Sequence, residues 1–164
     1  RHDPDHRPAP GGHHRSLLEL QRRVPALVAV SGCPLCASRD APALWRDDRL
    51  WVISAGEPDY PGFVRVIWSA HIREMTDLKP DERDYCMRVV FAAEQALRDS
   101  LRPDKINVAC LGNQVAHIHW HVIPRFADDA HFPDPVWATR RRAGIAHPFD
   151  VALFRARLSR VLDG

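Results

Sequence analysis

The chain has 164 residues, 45% apolar and 27% charged, which suits one domain with a sizeable core and an ordinary soluble composition. A net charge of +2 is too small to argue for nucleic acid as a partner. No apolar run approaches the roughly 18–20 residues that a membrane helix needs, and no signal-peptide pattern precedes the short run 27–30.

Residues 1–15 hold Pro, Gly, His and Arg with almost no apolar content and read as a disordered tail. Arg1 stands where a Met would open a complete chain, as in a fragment or processed form. Residues 16–30 carry Leu17, Leu18, Leu20, Val24 and Leu27, a short helix broken near Pro25. Residues 33–42 read as a loop or knuckle. Segments 43–46 and 50–54 flank an Asp47-Asp48-Arg49 turn and predict a hairpin. Two prolines make 56–62 a loop, and 63–68 alternates as a strand. Pro80, Asp81 and Glu82 suit the first turn of a helix over 80–101, with Tyr85, Val89, Ala93, Ala96 and Leu97 at helical spacing and Pro103 beyond its end. Strands over 105–111 and 118–124 follow, separated by a short turn. Residues 126–147 form a long loop whose aromatics and prolines predict order, as a cover over a site or as a contact surface. A terminal helix covers 149–162. Strands, helix, strands, helix predict an α+β fold with an antiparallel sheet. Residues 16–164 read as a single domain.

The chemistry concentrates in His117-Ile118-His119-Trp120-His121. In a strand, alternate side chains share a face, so three imidazoles line one side about 6.5–7 Å apart, and Ile118, Trp120 and Val122 line the other. Burying several imidazoles costs free energy unless each is hydrogen-bonded or ligated. Such a row can move protons, bind a metal or attack phosphorus at neutral pH. His13-His14 is a tag-like run by contrast, and Arg140-Arg141-Arg142 reads as a solvated basic surface. The four cysteines are Cys33, Cys36, Cys86 and Cys110, and in a chain neither small nor cysteine-dense they indicate a reducing, cytoplasmic compartment. Cys33-Pro34-Leu35-Cys36 has the spacing that clasps a tetrahedral zinc. Two more ligands must come from elsewhere, and His71 with His117 makes a sensible Cys₂His₂ set. A redox role for the pair needs a thioredoxin-like context that the segment lacks.

These residues together resemble the histidine triad (HIT) superfamily. His-Ile-His-Trp-His-Val-Ile is similar to its signature, Cys33 and Cys36 to the cysteine pair of many bacterial members, and Pro61-Gly62 through Ala70-His71 to its glycine-strand-histidine segment. Asn107 and Gly112-Asn113-Gln114 resemble the strand and phosphate loop before the triad. The resemblance runs from Cys33 to about Arg125. It implies a HIT-like fold: an antiparallel sheet of about five strands, one long helix and a C-terminal helix, usually as a homodimer. It implies hydrolysis or transfer of nucleotidyl groups from a small-molecule nucleotide, such as a dinucleoside polyphosphate or an adenosine phosphoramidate. His119 would attack the α-phosphorus to form a covalent nucleotidyl-histidine, and His121 would donate to phosphate oxygens or the leaving group. A backbone carbonyl should then fix the His119 tautomer. Asn107, Asn113 and Gln114 would hold the substrate, with Ile53 on the base. Structural Zn²⁺ would sit on Cys33, Cys36, His71 and His117, with no open position for water.

The chain departs from the family pattern in two places. Ala55 stands where many members carry a ribose-binding Asp, and Glu57 or Asp59 is the nearest substitute. The loop over 111–114 is short. Retention of the third histidine favours a hydrolase over the uridylyltransferase branch. A non-catalytic nucleotide-binding or scaffold protein on the same fold is the competing reading. A catalytic metal held by all three histidines is a third, which the separate thiolate pair argues against. Trp45 and Trp51 read as core, and His131 as non-catalytic.

Overall fold

The computed structural model describes residues 31–164. The expected tail over 1–15 and the helix over 16–30 lie outside the described residues. A one-turn helix α1 (Pro34–Ala37) begins at Cys33. A five-stranded antiparallel sheet follows in the order β1-β2-β3-β5-β4, built from β1 (Trp45–Arg46), β2 (Leu50–Ser54), β3 (Val64–Trp68), β4 (Lys105–Ala109) and β5 (His119–Arg125). A turn of 3₁₀ helix at Met75–Asp77 precedes the long helix α2 (Pro80–Leu101), and α3 (Val151–Asp163) closes the chain.

Both ends of α2 fall where the prolines place them. Pro80 takes the first helical position, where its missing N–H costs nothing, and the Lys79 amide donates to the Glu82 carboxylate at 2.8 Å. Arg102 adopts a left-handed conformation (φ 50°) and Pro103 prevents continuation. Helix α3 starts at Asp150, whose side chain accepts the Leu153 amide at 2.9 Å.

Strand alternation sorts the sheet into two faces. Leu50, Val52, Val64, Val66, Trp68, Ile106 and Val122 are buried against Val89, Val90, Ala93 and Leu97 of α2 and Phe154 and Leu158 of α3. Trp51, Ile67, His119 and His121 leave from the opposite face. That face is covered instead by the Cys33–Cys36 knuckle and by the loop after β5. One side of the sheet is therefore the core and the other carries His119 and His121.

Element ends differ from expectation by one or two residues. Strand β1 has two residues and β4 stops at Ala109, the last partner of β5, before Gly112 turns with φ +69°. Strand β5 begins at His119. Ile118 bonds outside the ladder, its N–H to the Ile72 carbonyl at 2.8 Å and its carbonyl to the Trp68 N–H at 3.1 Å. Trp51 is buried on the site face and Trp45 packs against the main core, so both are structural as expected.

Candidate functional site

Four potential ligands from three distant segments converge at one end of β5. The thiols of Cys33 and Cys36 lie 3.5 and 3.6 Å from His117 Nδ1, and Cys36 Sγ lies 3.4 Å from His71 Nδ1. All four ligand atoms fall within 4.8 Å of one another. Ligand bonds of 2.0–2.3 Å in a tetrahedral site imply edges of about 3.3–3.8 Å, so the three separations of 3.4–3.6 Å suit a metal the size of zinc. The knuckle is built locally: Ala37 and Ser38 donate back to Cys33 and Pro34 carbonyls at 3.1 and 3.0 Å, and Arg39 donates to the Ser69 carbonyl at 2.5 Å.

The tautomer of His117 follows from its neighbours. A carbonyl only accepts, so Nε2–H donates to the Trp68 carbonyl at 2.7 Å and Nδ1 keeps its lone pair toward the thiols. Burial holds this ring below the usual imidazole range, in the neutral form that a ligand requires. His119 obeys the same logic. Its Nδ1–H donates to the His117 carbonyl at 2.6 Å, which leaves Nε2 with its lone pair. The sequence asked for such a carbonyl, and the previous histidine supplies it.

His121 lies beside His119, ring centroids 4.9 Å apart. Burial, then the charges of His119 and Arg65, push its pKa down to about 4, so it is neutral near pH 7. Phe63 and Trp137 pack against it at 5.4 and 5.3 Å, Trp137 nearly perpendicular. Trp137 belongs to the loop after β5, which therefore covers one flank of the triad.

That loop is held by a buried ion pair. Asp129 accepts from Arg125 Nε and Nη2 at 2.7 and 3.1 Å, from the amides of His131 and Phe132 at 2.9 and 2.6 Å, and from the Tyr60 hydroxyl at 3.2 Å. Burial alone would raise this carboxyl; the guanidinium and the amides more than offset it and hold it at about 2. His131 Nδ1 lies 2.6 Å from the Tyr60 oxygen, a contact that ties the loop to the segment before β3. Gly144 (φ +74°) makes a close approach possible, since a Cβ there would lie 2.6 Å from the Ala130 nitrogen. The basic run is exposed, as expected of a solvated surface, and its side chains also make local pairs. Arg140 pairs with Asp59, Arg141 with Asp134, and Arg142 donates to the Ala127 and Asp129 carbonyls. These contacts clamp the loop to itself and to the segment before β3.

The expected substrate residues do not all gather at His119. Ile53 does lie on the site face, against Trp51 and Ile67. Asn107 gives its Oδ1 to Arg125 at 2.7 Å and lines a cleft of about 590 Å³ with Ile123, Pro133, Val136 and Trp137. Glu57 is exposed in a recess of about 100 Å³ on the other side of Trp137, with Asp59, Tyr60 and His131. Ala55 packs against Tyr60, Phe63 and Ile123. Asn113 and Gln114 are exposed in the turn before the triad, and Asn113 lines a cleft of about 500 Å³ that reaches His117. Arg65 and Trp137 escaped the sequence reading. A charged residue inside the apolar strand Val64–Trp68, in step with the site face, was the available sign for Arg65. Nothing local signals Trp137.

Comparison with known proteins agrees with this geometry. No curated protein matches the chain. Among solved structures, a histidine triad protein from Bradyrhizobium japonicum is 27% identical, over 76% of this chain and 92% of that one, with a TM-score of 0.61. A Zn-bound histidine triad family protein from Mycobacterium smegmatis is 29% identical over 80% and 96%, with a TM-score of 0.57. A histidine triad protein from Marinobacter aquaeolei VT8 is 25% identical over 77% and 91%, with a TM-score of 0.59. The model of the HIT domain family matches residues 38–128, more than half of the chain. With the triad, its antiparallel sheet and this match in agreement, the chain belongs to the HIT domain family.

Proposed function

We propose that this chain is a nucleotide hydrolase that acts at the α-phosphate of a nucleoside phosphate derivative through a covalent nucleotidyl-histidine. The observation that carries the reading is the His119 ring, anchored through Nδ1 on a backbone carbonyl with Nε2 left as a base. Nε2 attacks the α-phosphorus and the bond to the leaving group breaks. Water then attacks the same phosphorus, which releases the nucleoside monophosphate and restores His119. His121, neutral and beside it, offers an N–H to the phosphate oxygens rather than a full proton. Asn113 and Gln114 stand in the adjoining turn as further donors, and Asn107, Ile53 and Glu57 are assigned to the substrate more loosely.

Cys33, Cys36, His71 and His117 would hold Zn²⁺, supported by their spacing and by the Zn-bound relative. Four protein ligands leave no position for water, so a bound zinc ion would supply a cross-link between knuckle and triad. We extend the proposal to a cytoplasmic homodimer. Among the described residues β4 is an edge strand, and Phe91 on α2 is 57% exposed.

The deciding assay is release of AMP from diadenosine tetraphosphate and from adenosine phosphoramidate by the zinc-loaded chain. His119→Ala should lower the rate at least 1,000-fold while folding normally. A wild type that releases no AMP but binds nucleotide would make the chain a non-catalytic binding protein, a reading that the altered Ala55 position permits. Full activity in His119→Ala would exclude the nucleophile.

A further inference from the structure

Arg65 is the charged residue of β3, set among Val64, Val66, Ile67 and Trp68. The register places it opposite Ile53 on one side and His121 on the other. Directly paired residues hold their Cβ atoms about 4.5–5.5 Å apart on the same face, so Arg65 is an immediate neighbour of the third triad histidine. Its guanidinium carbon lies 5.8 Å from the Phe63 ring centroid. It therefore leans along the strand away from Ile67, the partner of His119.

Among the described residues no hydrogen bond satisfies this guanidinium. Its Nε is buried without a hydrogen-bond partner, and among the described residues no carboxylate or carbonyl bonds to the side chain. Arg125 makes the contrast plain. It lies at the end of β5, yet Asp129, Asn107 and the Asp134 carbonyl all engage it at 2.7–3.1 Å. An arginine kept in a half-buried catalytic face without a partner bears a desolvation cost that a ligand anion would remove. The planar fork is suited to bidentate contact with phosphate. Ala55 sharpens the point, because no carboxylate stands in the adjacent position to neutralise Arg65 or to read ribose hydroxyls.

We propose that Arg65 is a specificity-determining residue that binds a second phosphate of the substrate, beyond the one attacked by His119. The preferred class is then nucleoside di- and polyphosphate derivatives, with an anionic leaving group, over monophosphate amides whose leaving group is uncharged. This rests on the nucleotide-hydrolase reading above and names the substrate class for that site.

The test is equilibrium binding, which does not depend on turnover. Calorimetry with the zinc-loaded chain compares AMP with α,β-methylene-ADP, which carries the second phosphate and resists cleavage. The wild type should bind the diphosphate analogue about tenfold or more tightly than AMP. Arg65→Leu should bring that ratio to within about twofold, and Arg65→Lys should keep part of it. If thermal melting shows that the Leu variant does not fold, Arg65→Gln is read instead. A ratio near one in the wild type, or an unchanged ratio without Arg65, overturns the assignment and leaves the hydrolase reading standing. Absence of binding by either nucleotide overturns the hydrolase reading and this assignment with it.

Discussion

Asp129→Ala tests whether the loop beside the triad is held as described. Both Asp129 and Arg125 are almost fully buried, at 1% and 2% exposure. The substitution removes both guanidinium contacts and the acceptor for the His131 and Phe132 amides. Breaking a buried pair from one side costs about 3–5 kcal/mol, because the remaining charge stays buried. Arg125 keeps Asn107 and the Asp134 carbonyl as acceptors, and the loop amides can reach water, so the lower half of that range applies. The carboxyl's shift from 3.8 to about 2 gives an independent figure of about 2 kcal/mol, which counts only the difference between its charged and neutral forms. A loss of about 3 kcal/mol should lower Tm by about 10 °C in a domain of this size. Urea unfolding and thermal melting measure the global term. Trypsin measures the local one, since Arg140, Arg141 and Arg142 are exposed and become cleavable once the loop opens. A change below about 1 kcal/mol with unaltered trypsin resistance would refute the claim that this pair holds the loop.

Cys36→Ser should reduce bound zinc from about one ion per chain to a small fraction and destabilise the fold, measured by elemental analysis and melting; stoichiometric zinc in the variant would exclude the Cys₂His₂ site. Acid should destabilise the protein through His121. Its folded pKa of about 4 lies below the ordinary 6.5, so the unfolded chain binds the proton first and stability falls as pH drops from about 6.5 to 4. The ceiling is about 3 kcal/mol, and His121→Asn should flatten that part of the urea-derived stability curve. Burial, then the nearby Cys110, pushes the Cys86 thiol up to about 12, so Ellman's reagent at pH 8 should leave Cys86 unlabelled in the folded chain and react with the exposed Cys110. Labelling of Cys86 at the rate of Cys110 would show that this helix opens readily.

Much of the molecule could be read from local pattern because local pattern decides it. The ends of α2 follow from proline stereochemistry at Pro80 and Pro103, and the two faces of β2, β3 and β5 follow from strict alternation. The Cys33, Cys36, His71 and His117 cluster was legible because the CxxC spacing and the family resemblance both pointed to it. The contacts that hold the loop were not. Tyr60 meets Asp129 across 69 positions and Arg140 meets Asp59 across 81, and no periodicity connects residues that far apart. Arg65 went unread for a different reason: its identity was visible, while its missing partner is a property of the folded surroundings. The one-residue shift of β5 has the same origin, since Ile118 is drawn out of the ladder by Ile72 and Trp68.

His117 touches two systems with two different groups. Its ring faces the thiols, and its carbonyl fixes the ring of His119. Any tilt of that residue is therefore passed to the reactive nitrogen within a single peptide unit. Under the proposed function, a preparation in which only some molecules hold zinc would contain two species of unequal rate, and its average rate would track metal occupancy instead of protein concentration. Rates compared under that proposal, between batches or between variants that differ in zinc content, carry meaning only per mole of ion.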